Sequence, residues 1–207
     1  MKKLFPIILL LFSIGFSQEI IYHTETYDNG SIKKITHHRK TKERIEPIKS
    51  IEYDKYGLKI TESNYKDFRY HGLYVEYHNI QKNKKHMRKE QGYYKTGKKD
   101  GLWNRWYANE LKEQEGTFIN GEKDGLFSEW YDNGNLKIEE MFKKDISQFR
   151  TTWYETGEIK EESSFDKGII TFSTFYYKNG EIKKSLKYKD GEIISKEYWN
   201  EDGSQQE

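Results

Sequence analysis

The stretch that decides the fold is clearest at residues 125–137, which read GLFSEWYDNGNLK. Related copies stand at residues 101–112 (GLWNRWYANELK), 149–160 (FRTTWYETGEIK) and 172–183 (FSTFYYKNGEIK), with a worn copy, ISKEYWNEDGS, from Ile194. The tyrosine before each turn recurs at steps of 24, 23, 23 and 22 residues, through Tyr107, Tyr131, Tyr154 and Tyr177, with Trp199 aligned at the last place. A period of this size indicates one supersecondary unit stacked many times.

Each copy has the pattern of a β-hairpin, because two short runs of alternating residues are separated by turn residues. Asn133-Gly134 and Asn179-Gly180 are predicted as two-residue type I′ turns, in which both central residues need positive φ. We therefore predict an all-β fold: an elongated meander of stacked antiparallel β-hairpin repeats of about 23 residues, with no helix after residue 17.

Strand alternation divides the side chains between two faces. On one face the order large, small, aromatic recurs, and we predict that this face is packed. Its members are Leu102, Asn104, Trp106, Leu126, Ser128, Trp130, Phe149, Thr151, Trp153, Phe172, Thr174 and Tyr176. The opposite face is more mixed and carries Arg105, Glu129, Thr152 and Phe175 at equivalent positions.

The first half of the chain carries the same pattern in a more degenerate form. We predict a single repeat domain over residues 18–207 with seven to eight units, degenerate in residues 20–91 and regular in residues 92–203. Two insertions, at residues 37–50 and 81–91, interrupt the first half. The first insertion contains Pro47 and is predicted to loop out of the sheet.

Residues 1–17 have the pattern of a secretory signal peptide. Met1-Lys2-Lys3 is a short basic start, residues 4–16 are almost wholly apolar, and Gly15 and Ser17 suit cleavage before Gln18. The apolar run is too short for a comfortable membrane span. The chain has no cysteine, so we expect no lipid-anchored form, no thiol catalysis and no cysteine metal site. We expect an exported protein of the periplasm, the cell envelope or the medium.

Charge balance argues against one class of partner. Lys and Arg total 36 against 34 for Asp and Glu, and two of the lysines lie in residues 1–17. The remaining chain is therefore balanced, which does not favour nucleic-acid binding. The hydrophobic content of 34% would suit a disordered chain, but the aromatic content of 16% indicates that large rings supply the buried area.

The pattern aromatic-x-x-Gly-x-x-x-Gly-Leu-Trp-x-x-Trp-Tyr-x-x-Gly-x-Leu-Lys resembles the MORN repeat, in the bacterial variant of the YwqK-family antitoxins. The resemblance covers residues 22–203 and is strongest in residues 92–191. It implies β-hairpins stacked side by side and a binding or scaffolding role, at membranes in some members. The antitoxin name implies neutralisation of a partner toxin. The chain departs from the pattern at Ala108-Asn109-Glu110, where the turn glycine is missing, and at residues 144–147, where the second glycine is missing.

Candidate catalytic chemistry is sparse. The six histidines lie near or inside the insertions, and the His37-His38 pair is expected on a solvated loop. The neighbouring acids Glu139-Glu140 and Glu161-Glu162 would point to opposite faces of a strand, so they cannot act as a glycosidase pair. No nucleotide-binding, serine-hydrolase or zinc-protease motif occurs. We therefore expect no enzyme activity, no cofactor and no metal.

Two binding features remain. The second insertion gathers five cations that could contact anionic lipid head groups or another anionic partner, and the alternative is a solvated hairpin loop. These cations are Lys82, Lys84, Lys85, Arg88 and Lys89. Four aromatic side chains could form a surface contact for a sugar, a cation or a partner, and the alternative is that the repeating aromatics fill the core. These side chains are Trp103, Tyr107, Phe127 and Tyr131.

The pattern as a whole favours an exported non-catalytic protein-interaction module or scaffold built from MORN-like repeats, with a toxin-neutralising or immunity-like role as its sharpest form. The alternative is a cell-envelope adhesion or scaffold protein that binds glycan or lipid. A protein partner is expected in the first case and an envelope lipid or glycan in the second. The sequence does not indicate an oligomeric state.

Overall fold

The fold is all-β, as predicted. The computed structural model describes residues 19–79 and 86–206, and it contains β-strands and no helix in those residues. Strands that follow one another along the chain pair antiparallel in the ladders of both halves. The predicted meander of antiparallel hairpins is therefore confirmed. The proposed signal peptide at residues 1–17 lies outside the described residues.

The chain divides into two compact units, one up to Lys99 and one from Asp100, so the boundary falls within a strand. Strands in the first unit pair in chain order, and they are β1 (Glu19–Thr26), β2 (Ile32–Lys40), β3 (Ile45–Tyr53), β4 (Lys59–Lys66), β5 (Arg69–Tyr77) and β6 (Arg88–Lys95). The strand that contains the boundary is β7 (Lys98–Trp106). A single domain over residues 18–207 stays a prediction.

The second unit continues the same up-and-down order. Its strands after β7 are β8 (Lys112–Ile119), β9 (Glu122–Lys123), β10 (Gly125–Trp130), β11 (Leu136–Lys143), β12 (Ile146–Trp153), β13 (Ile159–Asp166), β14 (Ile169–Tyr176), β15 (Ile182–Lys189) and β16 (Glu192–Tyr198). Each of these pairs with the next one along, except that the two-residue β9 pairs only with β8, and β8 also pairs with β10.

Two kinds of turn alternate along the meander, and the prediction of type I′ turns at Asn133-Gly134 and Asn179-Gly180 was wrong. Gly134 has φ of 91°, while Asn133 is not among the positive-φ residues. The Gly134 N–H donates to the Tyr131 carbonyl at 3.0 Å, and Asn133 Oδ1 accepts the Asn135 N–H at 2.8 Å. This is a three-residue loop built on a type I turn with one left-handed residue. Asn in such a loop works through its side chain rather than through positive φ.

Type I′ turns lie at the other end of the hairpins, except between β2 and β3, where residues 41–44 turn without positive φ. Asn120 and Gly121 have φ of 53° and 90°, so both central residues of that turn are left-handed. Asp67 and Phe68 adopt the same pair of conformations without a glycine. The missing glycines therefore do not change the turn, because the paired strands on either side impose its conformation.

One missing glycine offers a direct test of strain. Glu110 has φ of 69° at the position that Gly134 fills in the next repeat. A non-glycine residue in this conformation costs about 1–2 kcal/mol, so Glu110→Gly is expected to raise the free energy of unfolding by about 1 kcal/mol after the entropy cost of glycine. Chemical denaturation would measure it. Glu110→Ala is the control, since it keeps the Cβ, and an equal gain from alanine would contradict strain as the cause.

The turn tyrosines link each repeat to the next one. The Tyr107 hydroxyl donates to the Trp130 carbonyl at 2.7 Å, and the Tyr131 hydroxyl donates to the Trp153 carbonyl at 2.9 Å. The turn asparagines make a parallel series, for example from Asn109 to the Asp132 carbonyl at 2.8 Å. Adjacent repeats are therefore joined by side chain to backbone bonds in addition to the strand ladders.

The last repeat is aligned one residue differently from the sequence prediction. The Asn200 N–H donates to the Ser204 carbonyl and the Gly203 N–H donates to the Asn200 carbonyl, as Tyr177 and Gly180 do one repeat earlier. Asn200, rather than Trp199, therefore takes the place of the turn tyrosine. Asn200 has no ring, and for this reason the sequence pattern favours the aromatic Trp199 beside it.

The second unit buries the face that we predicted to be mixed. Trp103 and Phe127 are 3% and 5% exposed, whereas Leu102, Leu126 and Phe149 are 50%, 42% and 46% exposed. We call these two surfaces the Trp103 face and the Leu102 face, after the neighbouring residues of β7. The physical reason is space: Trp103 lies opposite Gly116 in the ladder, and the Phe127 ring occupies the volume where a Cβ of Gly116 would stand.

Aromatic rings form the core of the Trp103 face. Trp103 meets Phe118 edge-on at a centroid distance of 6.4 Å, and Phe127 meets Phe118 and Phe142 at 5.2 and 5.4 Å. Edge-to-face contacts at these distances are favourable for aromatic pairs. A continuous chain of rings thus crosses β7, β8, β10 and β11.

The first insertion is not a loop, so that prediction was wrong. Residues 37–50 lie almost entirely within β2 and β3, which are paired with each other. Pro47 is opposite His38 while Lys49 is opposite His37, so the register shifts and a bulge accommodates the proline. The ladder therefore tolerates Pro47 without leaving the sheet.

The first unit also has a small-residue row and an aromatic cluster. Thr36 pairs with Ser50 and Ser50 with Ser63, and all three are buried. Beside this row, Tyr70 stacks on Tyr65 and Tyr94 at centroid distances of 5.0 and 5.1 Å. Small side chains at the centre of the ladder leave room for large rings at its edge.

Candidate functional site

The basic residues of the second insertion are only partly described. Lys82, Lys84 and Lys85 lie outside the described residues. Arg88 Nη1 donates to Gln91 Oε1 at 3.0 Å, and Lys89 Nζ lies 2.8 Å from Glu76 Oε1. Arg88 and Lys89 thus belong to β6 and are bonded to other side chains of the sheet.

The four aromatic candidates have structural positions. Trp103 and Phe127 are buried, so for these two residues the surface contact is excluded and the alternative holds, that the repeating aromatics fill the core. Tyr107 and Tyr131 are half-buried, and their hydroxyls bond the next repeat. The apolar surface of the second unit is built from other side chains, on the Leu102 face.

Three rows of side chains cross the strands on the Leu102 face, because residues paired in register share a face. The apolar row has Leu126 paired with Met141 and Met141 paired with Phe149, and continues past Ser164 to Phe172. The third row has one aromatic residue at the end of each outgoing strand. Its members are Trp106, Trp130, Trp153 and Tyr176.

The middle row alternates carboxylates with small polar side chains. Reading along the ladders, it passes through Asn104, Glu115, Ser128, Glu139, Thr151, Glu162, Thr174 and Ser185. Ser128 and Thr174 are buried, so they sit below the level of the carboxylates on either side. The carboxylates therefore project further from the sheet than the small side chains beside them, and an apolar row lies on either side.

The three carboxylates of this row have different partners. Glu115 Oε2 lies 2.5 Å from Lys112 Nζ. Glu162 Oε2 accepts the Tyr176 hydroxyl at 2.6 Å. Within the described part of the chain, Glu139 has neither a hydrogen-bond donor nor an ion-pair partner. Glu139 is thus a half-buried carboxylate with capacity to accept a donor from outside.

A surface depression of about 310 Å³ surrounds Glu162, with Phe149, Phe172, Thr151 and Thr174 among its walls. Burial, and then the hydrogen bond to Glu162, raise the pKa of Tyr176 to about 12. The phenol therefore stays protonated at neutral pH and acts as a donor. A carboxylate between aromatic walls suits a cationic group, since the rings and the acid both attract positive charge.

The neighbouring acids point to opposite faces, as the sequence predicts. Glu161 Oε1 accepts the Ser163 hydroxyl at 2.7 Å on the Trp103 face, whereas Glu162 lies on the Leu102 face. A second depression of about 270 Å³, in the first unit, is lined by residues in and beside two turns, among them Asp67 and Thr96 of the turns and Arg69 and His71 of β5. Among the described residues, no three His, Asp or Glu side chains are placed to hold a metal ion.

His37 and His38 lie in β2 rather than on a solvated loop, which corrects their predicted position. His37 contacts the Tyr22 ring edge-on at 4.7 Å. Burial, and then Lys49, lower the pKa of His37 from its ordinary 6.5. Burial, and then His23, lower the pKa of His38 as well.

These lowered values predict a loss of stability in mild acid. Below pH 6.5 the unfolded chain binds protons at both sites before the folded chain does, so stability falls until the pH reaches the lower, folded pKa values. The double variant His37→Gln/His38→Gln should show a smaller loss between pH 7 and about pH 5.5. Urea midpoints at several pH values would measure it, and an unchanged slope would contradict the prediction. The pKa of Glu62 is lowered from 4.5 by Lys49 and Lys59, so protonation of Glu62 changes the stability only at more acidic pH.

Two of three comparisons with known proteins found no match. No protein family model matches the chain, and no curated protein matches it. One similar solved structure is a protein of unknown function from Bacteroides fragilis, with 8% sequence identity and a TM-score of 0.17, covering 84% of this chain and 96% of that one. In the described residues, no helix has the length and apolar character to cross a membrane.

Proposed function

We propose that the chain is an exported, non-catalytic interaction scaffold that binds a protein partner through the Leu102 face of its second unit. One observation carries the proposal: Leu102, Leu126 and Phe149 expose 50%, 42% and 46% of their surface in equivalent positions of successive outgoing strands. Ordered rows of exposed apolar side chains, bordered by polar ones, are typical of surfaces that bind other proteins.

The geometry of this face favours a macromolecule over a small substrate. The rows lie on paired strands, and their floor is made of short side chains such as Ser128 and Thr174. A small-molecule site usually encloses most of its ligand, whereas this face is a shallow surface repeated from hairpin to hairpin. Repeat proteins commonly bind partners along such extended surfaces.

Export and toxin neutralisation are the more specific parts of the proposal. The signal-peptide pattern of residues 1–17 supports export. The resemblance of the repeat to MORN units of the YwqK-family antitoxins supports a partner toxin. An exported neutraliser would meet its toxin outside the cytoplasm, as an immunity-like protein does.

Affinity capture from a cell-envelope fraction tests the proposal. The full chain should retain a protein, and the triple variant Leu102→Ser/Leu126→Ser/Phe149→Ser should retain about tenfold less, because several buried apolar contacts are lost. The matched control is the variant Ile193→Ser/Tyr198→Ser, which removes similarly exposed apolar side chains on the Trp103 face and should bind as the natural chain does.

Two outcomes would contradict the proposal. Equal capture by the natural chain and the Leu102-face variant would remove that face from partner binding. Retention of purified anionic lipid or glycan, with no protein retained, would favour an envelope adhesion protein instead. Reversal of the Lys82, Lys84 and Lys85 charges would then show whether the second insertion holds the lipid.

A further inference from the structure

One position in the repeat carries a cation in some copies and not in others. It is the first residue of each return strand, opposite the aromatic residue that ends the outgoing strand. In β4 and β8 this residue is Lys59 or Lys112, opposite Tyr53 or Trp106. Each lysine bonds the glutamate three residues later: Lys59 Nζ lies 3.0 Å from Glu62, and Lys112 Nζ lies 2.5 Å from Glu115.

The lysines are also held by an aromatic ring of the next outgoing strand. Lys59 Nζ lies 5.6 Å from the centroid of the Tyr77 ring, and Lys112 Nζ lies 5.3 Å from the centroid of the Trp130 ring. Two repeats thus show the same arrangement, an ammonium group between a carboxylate and a ring. The carboxylate supplies charge and the ring supplies a cation–π contact.

The next two repeats keep the carboxylate and the ring but lose the lysine. Leu136 and Ile159 stand at the lysine position, opposite Trp130 and Trp153. Three residues later come Glu139 and Glu162, each in the register that Glu115 has in its own repeat. The following rings are Trp153 for Glu139 and Tyr176 for Glu162.

The last repeat has neither the lysine nor the carboxylate. There the lysine position is Ile182, and the residue three later is Ser185 instead of a glutamate. The carboxylate could therefore be lost together with the lysine, as it is here. Glu139 and Glu162 keep a charge that no lysine of their own repeat offsets.

We propose that Glu139 and Glu162 are receptor sites for lysine side chains of the protein partner, which take the places that Lys112 occupies in its own repeat. This inference rests on the proposed function, since it names the chemistry by which the Leu102 face binds its partner. The internal lysines of the chain show the bound state of such a site. Lysine is favoured over arginine because the two copies that hold a cation next to this glutamate hold it as Lys59 and Lys112.

The spacing of the two sites defines the partner segment. Glu139 lies on β11 and Glu162 on β13, two strand spacings apart, which is about 10 Å. A polyproline II segment rises about 3.1 Å per residue with three residues per turn. Lysines three residues apart on such a segment would lie about 9 Å apart on one side of it. The sites therefore fit a basic segment with a Lys-x-x-Lys pattern that runs across the strands.

The test uses the full isotope-labelled chain and the peptide Lys-Pro-Pro-Lys-Pro-Pro-Lys with blocked termini. Amide signals of Thr151 and Thr174 and the indole signal of Trp153 should shift on titration, with a dissociation constant of about 1 mM, as expected for a few contacts. The variant Glu139→Gln/Glu162→Gln should weaken binding about tenfold, because two charge-assisted contacts become neutral.

Two further variants sharpen the result. Glu115→Gln is the matched control: its carboxylate is already bonded to Lys112, so its loss should leave peptide binding unchanged. Leu136→Lys/Ile159→Lys places internal lysines at both sites and should abolish the shifts while the chain stays folded. Unaltered peptide binding in the Glu139→Gln/Glu162→Gln variant, or no shift at these residues in the natural chain, would overturn the inference.

The same variants separate this inference from the proposed function. If the envelope partner is captured equally by the natural chain and by Glu139→Gln/Glu162→Gln, the lysine sites fail while the interaction scaffold stands. If no protein is captured and the Leu102-face variant changes nothing, the proposed function fails, and the peptide titration alone decides whether the sites bind lysine.

Discussion

Replacing Trp103 with alanine is expected to lower the free energy of unfolding by about 3–5 kcal/mol, the range for removal of a buried Trp or Phe. Trp103 is 3% exposed, and its ring contacts the edge of Phe118. The neighbouring strands cannot close the space, because their positions are set by ladders on both sides of β8. A cavity therefore remains where the indole was.

Leu102→Ala is the matched control, since it changes the adjacent residue on the opposite face. Half of the Leu102 surface is exposed, so we expect a loss of about 1 kcal/mol or less. Urea unfolding followed by far-ultraviolet circular dichroism would measure both variants. If Leu102→Ala cost as much as Trp103→Ala, the assignment of the buried face would be wrong.

The second large effect is expected from Gly116→Ala. A Cβ on Gly116 would stand 2.2 Å, 2.3 Å and 2.6 Å from three atoms of the Phe127 ring. The ring cannot move freely, because Phe118 and Phe142 contact it on two sides. Overpacking of this kind costs about 1–3 kcal/mol, and we expect a loss near the upper end, about 3 kcal/mol.

The cause can be separated from the general effect of alanine in a strand. In the double variant Gly116→Ala/Phe127→Leu, the smaller side chain leaves room for the new Cβ, so the two changes should cost less together than the sum of their separate costs. Denaturant midpoints of the two single variants and the double variant supply the comparison. Purely additive costs would show that the clash with Phe127 is not the reason.

The spacing of the repeat was enough to predict the class of fold, but not which face is buried. Alternation sorts Leu102 and Trp103 onto different faces without saying which one meets the core. The recurring order large, small, aromatic favours the Leu102 set as the packed face, whereas the structure buries Trp103 and Phe127. The decisive signal was Gly116, a glycine inside a strand, which marks a place where a large ring approaches the backbone.

The type of each turn could not be predicted from the sequence either. Asn-Gly occurs at both ends of the hairpins, as Asn120-Gly121 and as Asn133-Gly134, and only the first pair forms the type I′ turn. The dipeptide does not decide the turn, because the number of residues between the last paired positions does. That number depends on the register in which the two strands pair, and a single sequence does not indicate this register.

The lysine sites could have been found from the sequence, but only with the register known. Lys112 and Glu115 share a pattern with Lys59 and Glu62, and Leu136 with Glu139 breaks it. Read alone, Glu139 and Glu162 look like ordinary solvated acids of a repeat. Their proposed role as lysine sites depends on the aromatic ring of the next outgoing strand, which the strand register brings to the same face.

The tyrosine hydroxyls have a consequence for how such a chain can change in evolution. In the second unit each hydroxyl reaches a carbonyl 22 or 23 residues ahead, for example from Tyr107 to Trp130 and from Tyr131 to Trp153. The bond therefore depends only on the next repeat. A copy duplicated in frame would bring its own tyrosine and would find the matching acceptor in its neighbour. The gene could therefore gain or lose whole copies by recombination, and the length of the array could be adjusted to a partner without redesign of any single hairpin.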